Sequence, residues 1–333
     1  TTEAKFGSGN ITASGNITLL ADSNTDSDAF ADSAGGGLIQ VAGFYTNAMV
    51  DSTVKASTGA GLIQAGNDVS IHAIHDGNRV LANSTGGGLG LVSVNFGSST
   101  ATSNPTVQTQ VDSSIIRARD VTIEAYSEAD AKAESKTDGA GFVSIGDTVA
   151  NVFSNSHVLT EFTGGTIYAE RDVEIVATEL QVLYAVAETE GSFGGVTSVD
   201  ADAKIDLDHD VIINIDGRVD ANRTVLVETR TGLNADVDVE ADAAALLFGF
   251  GYANGDIFIG ASDDRALNQV NLEDDADIKG ELVVVSALAG SQSKINVGTG
   301  AVEVDGSGLV TEWTARVDAL SNVDAGPFIP SES

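Results

Sequence analysis

One stretch of sequence decides the fold of this chain: ARDVTIEAYSEADAKAES, residues 118–135. Apolar and polar residues alternate along it, and its opening phrase returns in related form at a constant interval. The first apolar residue of each copy serves as an anchor. The anchors are Ile17, Val69, Val121, Val173 and Val225, at a constant interval of 52 in the numbering, and a weaker copy at Val283 follows at an interval of 58. A fixed internal period indicates a repeat architecture, in which each short unit is stabilised by its neighbours.

Each repeat unit consists of two extended segments separated by a glycine-rich turn. Val121, Ile123 and Ala125 alternate with polar residues, which is the period of a strand with one buried face. Glycines break this pattern near the middle of the units, at residues 35–37, 86–88, 139, 141 and 194–195. We expect the chain to turn there.

Equivalent residues that recur at a fixed interval form columns when each unit is one coil stacked on the next, about 4.8 Å away. The sequence therefore predicts an all-β fold, a parallel β-solenoid (β-helix) with about 52 residues per coil and five to six wide, flattened coils. We expect a single continuous solenoid over residues 1–325, with coil anchors near 17, 69, 121, 173, 225 and 283, and a C-terminal linker or tail at 326–333. The longer last interval predicts an insertion around residues 251–264. Separate immunoglobulin-like domains are disfavoured, because each needs about 100 residues.

Composition narrows the range of partners. The 333 residues include 49 Asp and Glu against 16 Lys and Arg, which gives a formal net charge of −33, and there is no cysteine. This charge disfavours nucleic acid and anionic membranes as partners and favours cations. The lack of cysteine excludes disulfides, thiol catalysis and cysteine zinc sites. No stretch approaches the roughly 18 apolar residues that span a bilayer. The chain begins at Thr1 without a signal peptide, so we expect a processed product or a piece of a longer protein.

Two predicted strands, VDADAKIDLDHD and ADVDVEAD, carry carboxylates on one face only, because acidic and apolar residues alternate along them. The candidate calcium ligands are Asp200, Asp202, Asp206, Asp208, Asp210, Asp236, Asp238, Glu240 and Asp242. Calcium prefers several oxygen ligands, but the chain has neither an EF-hand loop nor the glycine-rich nonapeptide of calcium-binding β-rolls. The alternative is a solvated acidic face that responds to cations diffusely. Neither interpretation requires a cofactor.

A second charged feature lies just before the anchors. Asp68, Asp120 and Asp172 occupy equivalent positions in successive repeats, and an arginine precedes the second and third of them and also occupies the equivalent position at Arg223. Stacking brings like charges about 4.8 Å apart, so we expect the arginine column to offset part of the repulsion between the aspartates.

Other chemistry has weaker support in the sequence. Carboxylates are too numerous to single out a catalytic pair, so we expect no enzyme, although some carbohydrate-cleaving enzymes use such pairs. His72 and His75 point to opposite faces of a strand, and we expect all four histidines to be ordinary surface or edge residues. The glycine-rich segments lack the Lys-Ser/Thr ending of phosphate loops. Trp313 is expected to cap the end of the core.

The repeated phrases DVTIEA, ADAKAES, GAGFVSIG and GGTIYAERDVEI resemble the β-strand repeat regions of giant bacterial surface proteins. Filamentous haemagglutinin-like and leukotoxin-type filamentous adhesins are the nearest groups. The resemblance covers about residues 11–290. It implies a secreted or surface-anchored rod that spaces, attaches or builds a filament, and it supplies no catalytic residue.

The sequence and this resemblance together predict a non-enzymatic structural or adhesive segment of an extracellular bacterial surface protein or filament, acting as a stiff acidic rod. Its expected partners are further coils of a longer parent chain, other copies in end-to-end or lateral assembly, and surface glycans. Nucleic acid and membrane insertion are not expected. The first alternative is a self-assembling filament subunit, because the ends of a solenoid expose unpaired strand edges. The second is a carbohydrate-binding or carbohydrate-cleaving β-helix.

Overall fold

The computed structural model of the protein describes residues 1–259, 266–273, 275–289, 294–299, 304–305, 309–319 and 321–325. Strands and short turns make up this part of the chain, and no helix occurs in it. The strands are β1 (Thr2–Phe6), β2 (Ile11–Ala13), β3 (Ile17–Ser23), β4 (Ser27–Thr58), β5 (Gly61–Ala65), β6 (Asp68–Asp112), β7 (Ser114–Ala118), β8 (Asp120–Ala140), β9 (Val143–Ala169), β10 (Val173–Ala221), β11 (Thr224–Ile259), β12 (Ala266–Leu272), β13 (Asp277–Lys279), β14 (Leu282–Ala289), β15 (Lys294–Thr299), β16 (Val304–Asp305), β17 (Leu309–Ala319) and β18 (Ser321–Ala325).

The strands form one long, open parallel sheet. Its register joins equivalent positions of successive repeats. Val173 lies opposite Val121 on one side and Val225 on the other, and Val69 lies between Ile17 and Val121. The predicted all-β class and parallel pairing are confirmed, and the arrangement is consistent with a β-solenoid.

The central repeat shows how the chain buries one face of each strand. The chain runs out along β8 and returns along β9, and we call these the first arm and the second arm. In neighbouring repeats the paired segments of both arms lie within longer strands such as β6 and β10. Burial alternates along β8, so each arm has an inner and an outer face. The inner faces contact each other, since Ser99 Oγ donates to the Glu134 carbonyl at 2.6 Å and Thr109 Oγ1 donates to the Glu124 carbonyl at 2.6 Å.

The interior holds two apolar clusters. The first surrounds the anchors and contains branched or large side chains such as Val121, Ile123 and Phe162. The second lies further along the arms and is rich in alanine, including Ala131 and Ala150. Alanine occupies little space, so the arms can approach closely at the second cluster while the interior remains close-packed.

A buried polar belt lies between the two apolar clusters. On the first arm it follows one column, in which Ser127 pairs with His75 on one side and Glu179 on the other. The belt consists of the buried residues Ser52, His75, Ser127, Ser154, Ser156, Glu179 and Gln181. Polar side chains at inward positions were not predicted from the apolar pattern of the repeat.

The prediction that every histidine lies at the surface or an edge is wrong for His75. This residue is fully buried, its Nε2 lies 2.7 Å from Ser52 Oγ, and burial lowers its pKa. His72 points outward, with Nδ1 3.1 Å from Glu124 Oε2. The odd spacing between His72 and His75 correctly predicted that the two rings point to opposite faces. It did not reveal that the inner face is polar at the column of His75.

Most of the extra residues of the last interval lie at the C-terminal end of the predicted region 251–264. Leu207 pairs with Ile259 at an offset of 52, whereas Asp210 pairs with Leu267 at an offset of 57. Five residues of offset are therefore added between Ile259 and Leu267, and residues 251–259 belong to β11. The offset then changes to 59 where Arg218 pairs with Asp277 and to 58 where Val225 pairs with Val283. The predicted tail at 326–333 and the side chain of Trp313, with its expected capping role, fall outside the part of the chain that the structure describes.

Glycine is required at position 86 because the ring of Phe44 packs directly against its backbone. A Cβ at this position would lie 2.0 Å from Cε1 of Phe44, whose ring is buried. We expect Gly86→Ala to lower the free energy of unfolding by about 2 kcal/mol, because the ring must move within a close-packed interior. Gly43→Ala is the matched control, since a Cβ at Gly43 meets nothing within 4 Å. Urea unfolding measures both, and equal midpoints for the two variants would contradict this packing.

Candidate functional site

The predicted calcium ligands lie in two groups on opposite outer faces. Residues 200–210 lie on the second arm within β10, and residues 236–242 lie on the first arm within β11. The residues between the acidic positions, such as Ala201, Ile205 and Val237, are buried, so the carboxylates point outward as predicted. Because the arms pack through their inner faces, the nine carboxylates do not form one site.

Asp200 is at the centre of the second-arm group. It pairs in register with Asp147 of β9, and Asp202 follows it on the same face. Burial, followed by the negative charges of Asp202 and Asp147, raises the pKa of Asp200 to about 6. Burial also raises the pKa values of Asp147 and Asp202. Full ionisation of these three crowded carboxyls is therefore unfavourable.

The remainder of the second-arm group is partly neutralised. Lys204 Nζ lies 2.8 Å from Asp206 Oδ2 and 4.8 Å from the centre of the Phe258 ring. His157 Nδ1 lies 3.6 Å from Asp210 Oδ2, and the interaction with this carboxylate raises the pKa of His157. Lys204 balances charge on this face, and His157 does so when it is protonated.

The first-arm group forms a second carboxylate patch with the strand before it. Glu240 pairs in register with Glu188, and Asp242 pairs with Glu190. Burial, followed by the charge of Glu188, raises the pKa of Asp238, and burial followed by Asp242 raises that of Glu240. Lys136 offsets part of this charge, since its Nζ lies 2.8 Å from Glu188 Oε2.

Asp147, Glu188 and Glu190 belong to these patches but were not singled out from the sequence. The signal that could have found them is the repeat itself. Asp147 pairs with Asp200 at an offset of 53, and Glu188 pairs with Glu240 at an offset of 52. Applying the offset of 52 to every acidic position, and not only to the anchors, would have predicted the row of Glu188 and Glu240. The row of Asp147 and Asp200 depends on an additional shift of one residue, which the repeat interval does not reveal.

The predicted columns of aspartate and arginine form a charged ladder. Arg119 Nη2 lies 3.0 Å from Asp68 Oδ1, and its Nε lies 3.3 Å from Asp120 Oδ2. Arg171 Nε lies 3.5 Å from Asp120 Oδ1, so each arginine joins one repeat to the next. The carboxylates also accept backbone hydrogen bonds across the repeats, as from the Asp172 amide to Asp120 Oδ1 at 3.2 Å. Each exposed ion pair contributes up to about 1 kcal/mol, and the ladder helps to fix the register.

The pKa of Asp200 predicts a pH dependence of stability. Because this pKa is raised to about 6 in the folded chain, the native state binds more protons than the unfolded state below pH 6, down to the ordinary range near 4. We expect the free energy of unfolding to rise as the pH falls through this window. At pH 7, Asp200→Asn should raise it by about 1 kcal/mol, a figure reduced for screening of a half-buried group. Urea unfolding at pH 7 and pH 5 measures the effect.

The matched control for this pH dependence is Asp206→Asn on the same face. The Asp206 carboxylate is held by Lys204 at 2.8 Å, so removing its charge should not stabilise the chain. If Asp200→Asn and Asp206→Asn change the free energy of unfolding equally at pH 7, the crowding of Asp147, Asp200 and Asp202 does not explain the stabilisation.

No group of three or more His, Cys, Asp or Glu side chains is arranged to hold a metal ion among the residues that the structure describes. The same part of the chain contains no helix that is long and apolar enough to cross a membrane. No protein-family model matches the sequence, and searches of curated proteins and of solved structures also found no match.

Proposed function

We propose that this chain is a non-enzymatic structural segment of an extracellular bacterial surface protein or filament, in which stacked coils form a stiff acidic body. The observation that supports this most strongly is the continuous register. β10 and β11 pair without interruption from Val173 opposite Val225 to Gly191 opposite Ala243. Buried positions of one strand face buried positions of the next along this run, except where Thr178 lies opposite the exposed Arg230. Stacking therefore accounts for the similarity between repeats without any catalytic requirement.

In this proposal each repeat is one wide, flattened coil, and the chain contains five to six of them. At about 4.8 Å per coil, the stack extends about 29 Å along its axis. The 21 residues of β8 extend about 70 Å across it. The segment is thus broader than it is long, and it forms part of a rod only when more coils join its ends. This is why the proposed partners are further coils of a longer parent chain or other copies.

The mechanical role follows from the direction of the hydrogen bonds. Parallel strands of successive coils lie side by side, so their backbone hydrogen bonds run along the stacking axis. A force along that axis loads all the hydrogen bonds between two coils together. The ion pairs between Arg119 and Asp68 and between Arg171 and Asp120 act in the same direction.

The acidic exterior is proposed to give solubility and a response to cations. Two charges about 4.8 Å apart repel by roughly 0.9 kcal/mol in water, and the rows Asp147 with Asp200 and Glu188 with Glu240 place carboxylates on adjacent strands. Calcium or another hard cation bound along these rows would relieve the repulsion. Calcium at the nine predicted residues remains part of this proposal.

Electron microscopy and thermal unfolding, each with calcium and with a chelator, test the proposed function. We expect broad, thin particles and a melting temperature that rises with millimolar calcium more than with sodium chloride of equal ionic strength. The double variant Asp200→Asn/Glu240→Gln should lose most of that difference. Particles without these proportions would contradict the stacked coils, and equal responses to the two salts would remove the specific role of calcium.

A self-assembling filament subunit is the second candidate, and the open edge of β4 supports it. Among the described residues, β4 pairs with β1 only from Val54 to Thr58, so its segment 27–53 has a strand neighbour on one side alone. A long unpaired edge recruits another strand unless it is covered. Filaments formed by the isolated chain would favour this candidate, and loss of those filaments on Met49→Pro in the edge strand would assign them to this edge.

A further inference from the structure

The second arm has an outer face that differs from the rest of the surface, and we call it the neutral face. It consists of the outward residues of three adjacent strand segments: 39–51 in β4, 92–104 in β6 and 143–155 in β9. Ile39 pairs with Val92, which pairs with Val143, so apolar residues continue from strand to strand.

The neutral face is nearly free of charge. Among its outward positions, only Asp51 and Asp147 are acidic and none is basic. Asp51 lies at the end of the β4 segment, and Asp147 lies on the border strand β9, opposite Phe96. The outer face of the first arm is charged in the same repeats, as Glu128, Asp130 and Lys132 of β8 show. The next strand segment on the second arm is charged as well, since it carries residues 200–208 of the acidic group. An uncharged area of this size is unexpected on a chain of net charge −33.

The neutral face also exposes large apolar side chains. Ile39 is 75% exposed, Val41 is 69% exposed and Tyr45 is 77% exposed. Phe96 and Ile145 on the two neighbouring segments are partly exposed at 38% and 40%. A contiguous apolar patch on a flat sheet marks an interaction surface, because leaving it in water is unfavourable.

We propose that the neutral face binds the neutral face of a second copy of this chain, sheet against sheet, so that stacked segments associate laterally in pairs. This inference rests on the stacked-coil arrangement proposed above. Charge identifies the partner: a basic partner would bind the acidic faces, whereas a second copy, itself strongly negative, can approach closely only where neither surface is charged. Two such sheets pack face to face about 10 Å apart with their side chains interdigitated.

The size of the neutral face sets the strength of the pairing. Thirteen residues along β4 extend about 40 Å, and three strands span about 15 Å, which gives an area of roughly 600 Å² per copy. Stable complexes bury about 800 Å² per partner. We therefore expect a weak, reversible dimer that forms at high protein concentration and is strengthened by salt, which screens repulsion between the acidic surfaces.

The test introduces two carboxylates on the neutral face and, as a matched control, two on the opposite face. Val41→Glu/Tyr45→Glu alters the neutral face at strongly exposed positions, so folding should be unaffected. Leu20→Glu/Phe30→Glu makes the same change in charge on the first arm, where these side chains are 48% and 68% exposed. Sedimentation equilibrium over a range of concentrations in high salt measures the mass, and far-UV circular dichroism checks the fold of each variant.

We expect the wild type and Leu20→Glu/Phe30→Glu to approach twice the monomer mass at high concentration. Val41→Glu/Tyr45→Glu should dimerise at least roughly tenfold more weakly, because buried unpaired carboxylates oppose association. Three outcomes would overturn the inference: a wild type that stays monomeric, an equal loss of dimer in both variants, or binding of a monomeric wild type to phosphatidylcholine vesicles that only Val41→Glu/Tyr45→Glu abolishes. Small-angle scattering distinguishes the two proposals. A monomer with the dimensions given above for the stack would contradict lateral pairing but would still support the stacked-coil arrangement.

Discussion

Deletion of Asp130 from β8 is expected to abolish cooperative folding, whereas deletion of Gly77 from β6 is expected to cost little. Asp130 lies on the outer face between the inward residues Ala129 and Ala131. Its removal turns every following side chain of the first arm to the opposite face, because the side-chain period of a strand is two. The inward positions of β8 then meet mismatched neighbours in both β6 and β10. The expected loss is comparable with the whole stability of a domain, on the order of 5–15 kcal/mol.

Gly77 is the matched control because β6 already contains a bulge at that point. His75 pairs with Ser127, but Asn78 pairs with Ala129, so two residues of β6 oppose one of β8. Gly77 has a positive φ of 67°, a conformation that suits glycine in a bulge. Its deletion removes the additional residue and leaves the flanking register available, at an expected cost of about 1–2 kcal/mol.

Circular dichroism and urea unfolding measure both deletions, which remove one residue each from neighbouring strands. We expect a cooperative transition for the Gly77 deletion and none for the Asp130 deletion. A cooperative transition near the wild-type midpoint for the Asp130 deletion would show that the register of the first arm is not fixed by its buried face.

The main features of this fold were predictable because the same pattern of alternating residues recurs at a constant interval. The constant interval between anchors and the alternation around Val121 predicted parallel pairing of like with like, and the anchors pair as expected. The outward direction of the carboxylates near Asp200 followed from the same alternation. The Asp and Arg columns were placed correctly for the same reason, since Arg119 reaches Asp68 across one repeat.

What the sequence did not reveal depends on how the two arms face each other. Alternation identifies the inner face of an arm but not the residues opposite it, so the polar belt and the burial of His75 were missed. The neutral face was missed because its apolar residues occupy outward positions of three repeats and resemble each other less than the anchors do. The raised pKa of Asp200 depends on burial as well as on Asp147, which no spacing rule reveals.

Replacing Gln181 alone is expected to destabilise the protein strongly, whereas replacing Glu179 together with it should restore stability. Gln181 Nε2 donates to Glu179 Oε1, and the two residues are only 3% and 2% exposed. Gln181→Leu removes the amide donor and leaves a buried carboxylate, at an expected cost of about 3 kcal/mol. Glu179→Leu/Gln181→Leu should match or exceed the wild type, because buried polar pairs can be replaced by apolar side chains without loss.

The Glu179 and Gln181 variants form a double-mutant cycle. A second cycle on the partly exposed pair of Lys204 and Asp206, whose side chains are 38% and 22% exposed, is the control. Its coupling energy should be below about 1 kcal/mol. Urea unfolding of the single and double variants gives both coupling energies. If the coupling between Glu179 and Gln181 is no larger than that of the control pair, the belt is not a dry, hydrogen-bonded element of the core.

A stabilised double variant would also explain why a polar belt is present inside an apolar stack. A shift of one strand by one residue against its neighbour is opposed, because it would turn the inward side chains outward. A shift by two residues keeps every inward side chain inward. The belt opposes that shift, because a displacement of β10 by two residues would move Glu179 from Ser127 to Ala125 or Ala129 of β8. We therefore expect Glu179→Leu/Gln181→Leu to unfold with a lower m-value than the wild type, because the loss of Glu179 from this column makes alternative registers of β10 accessible.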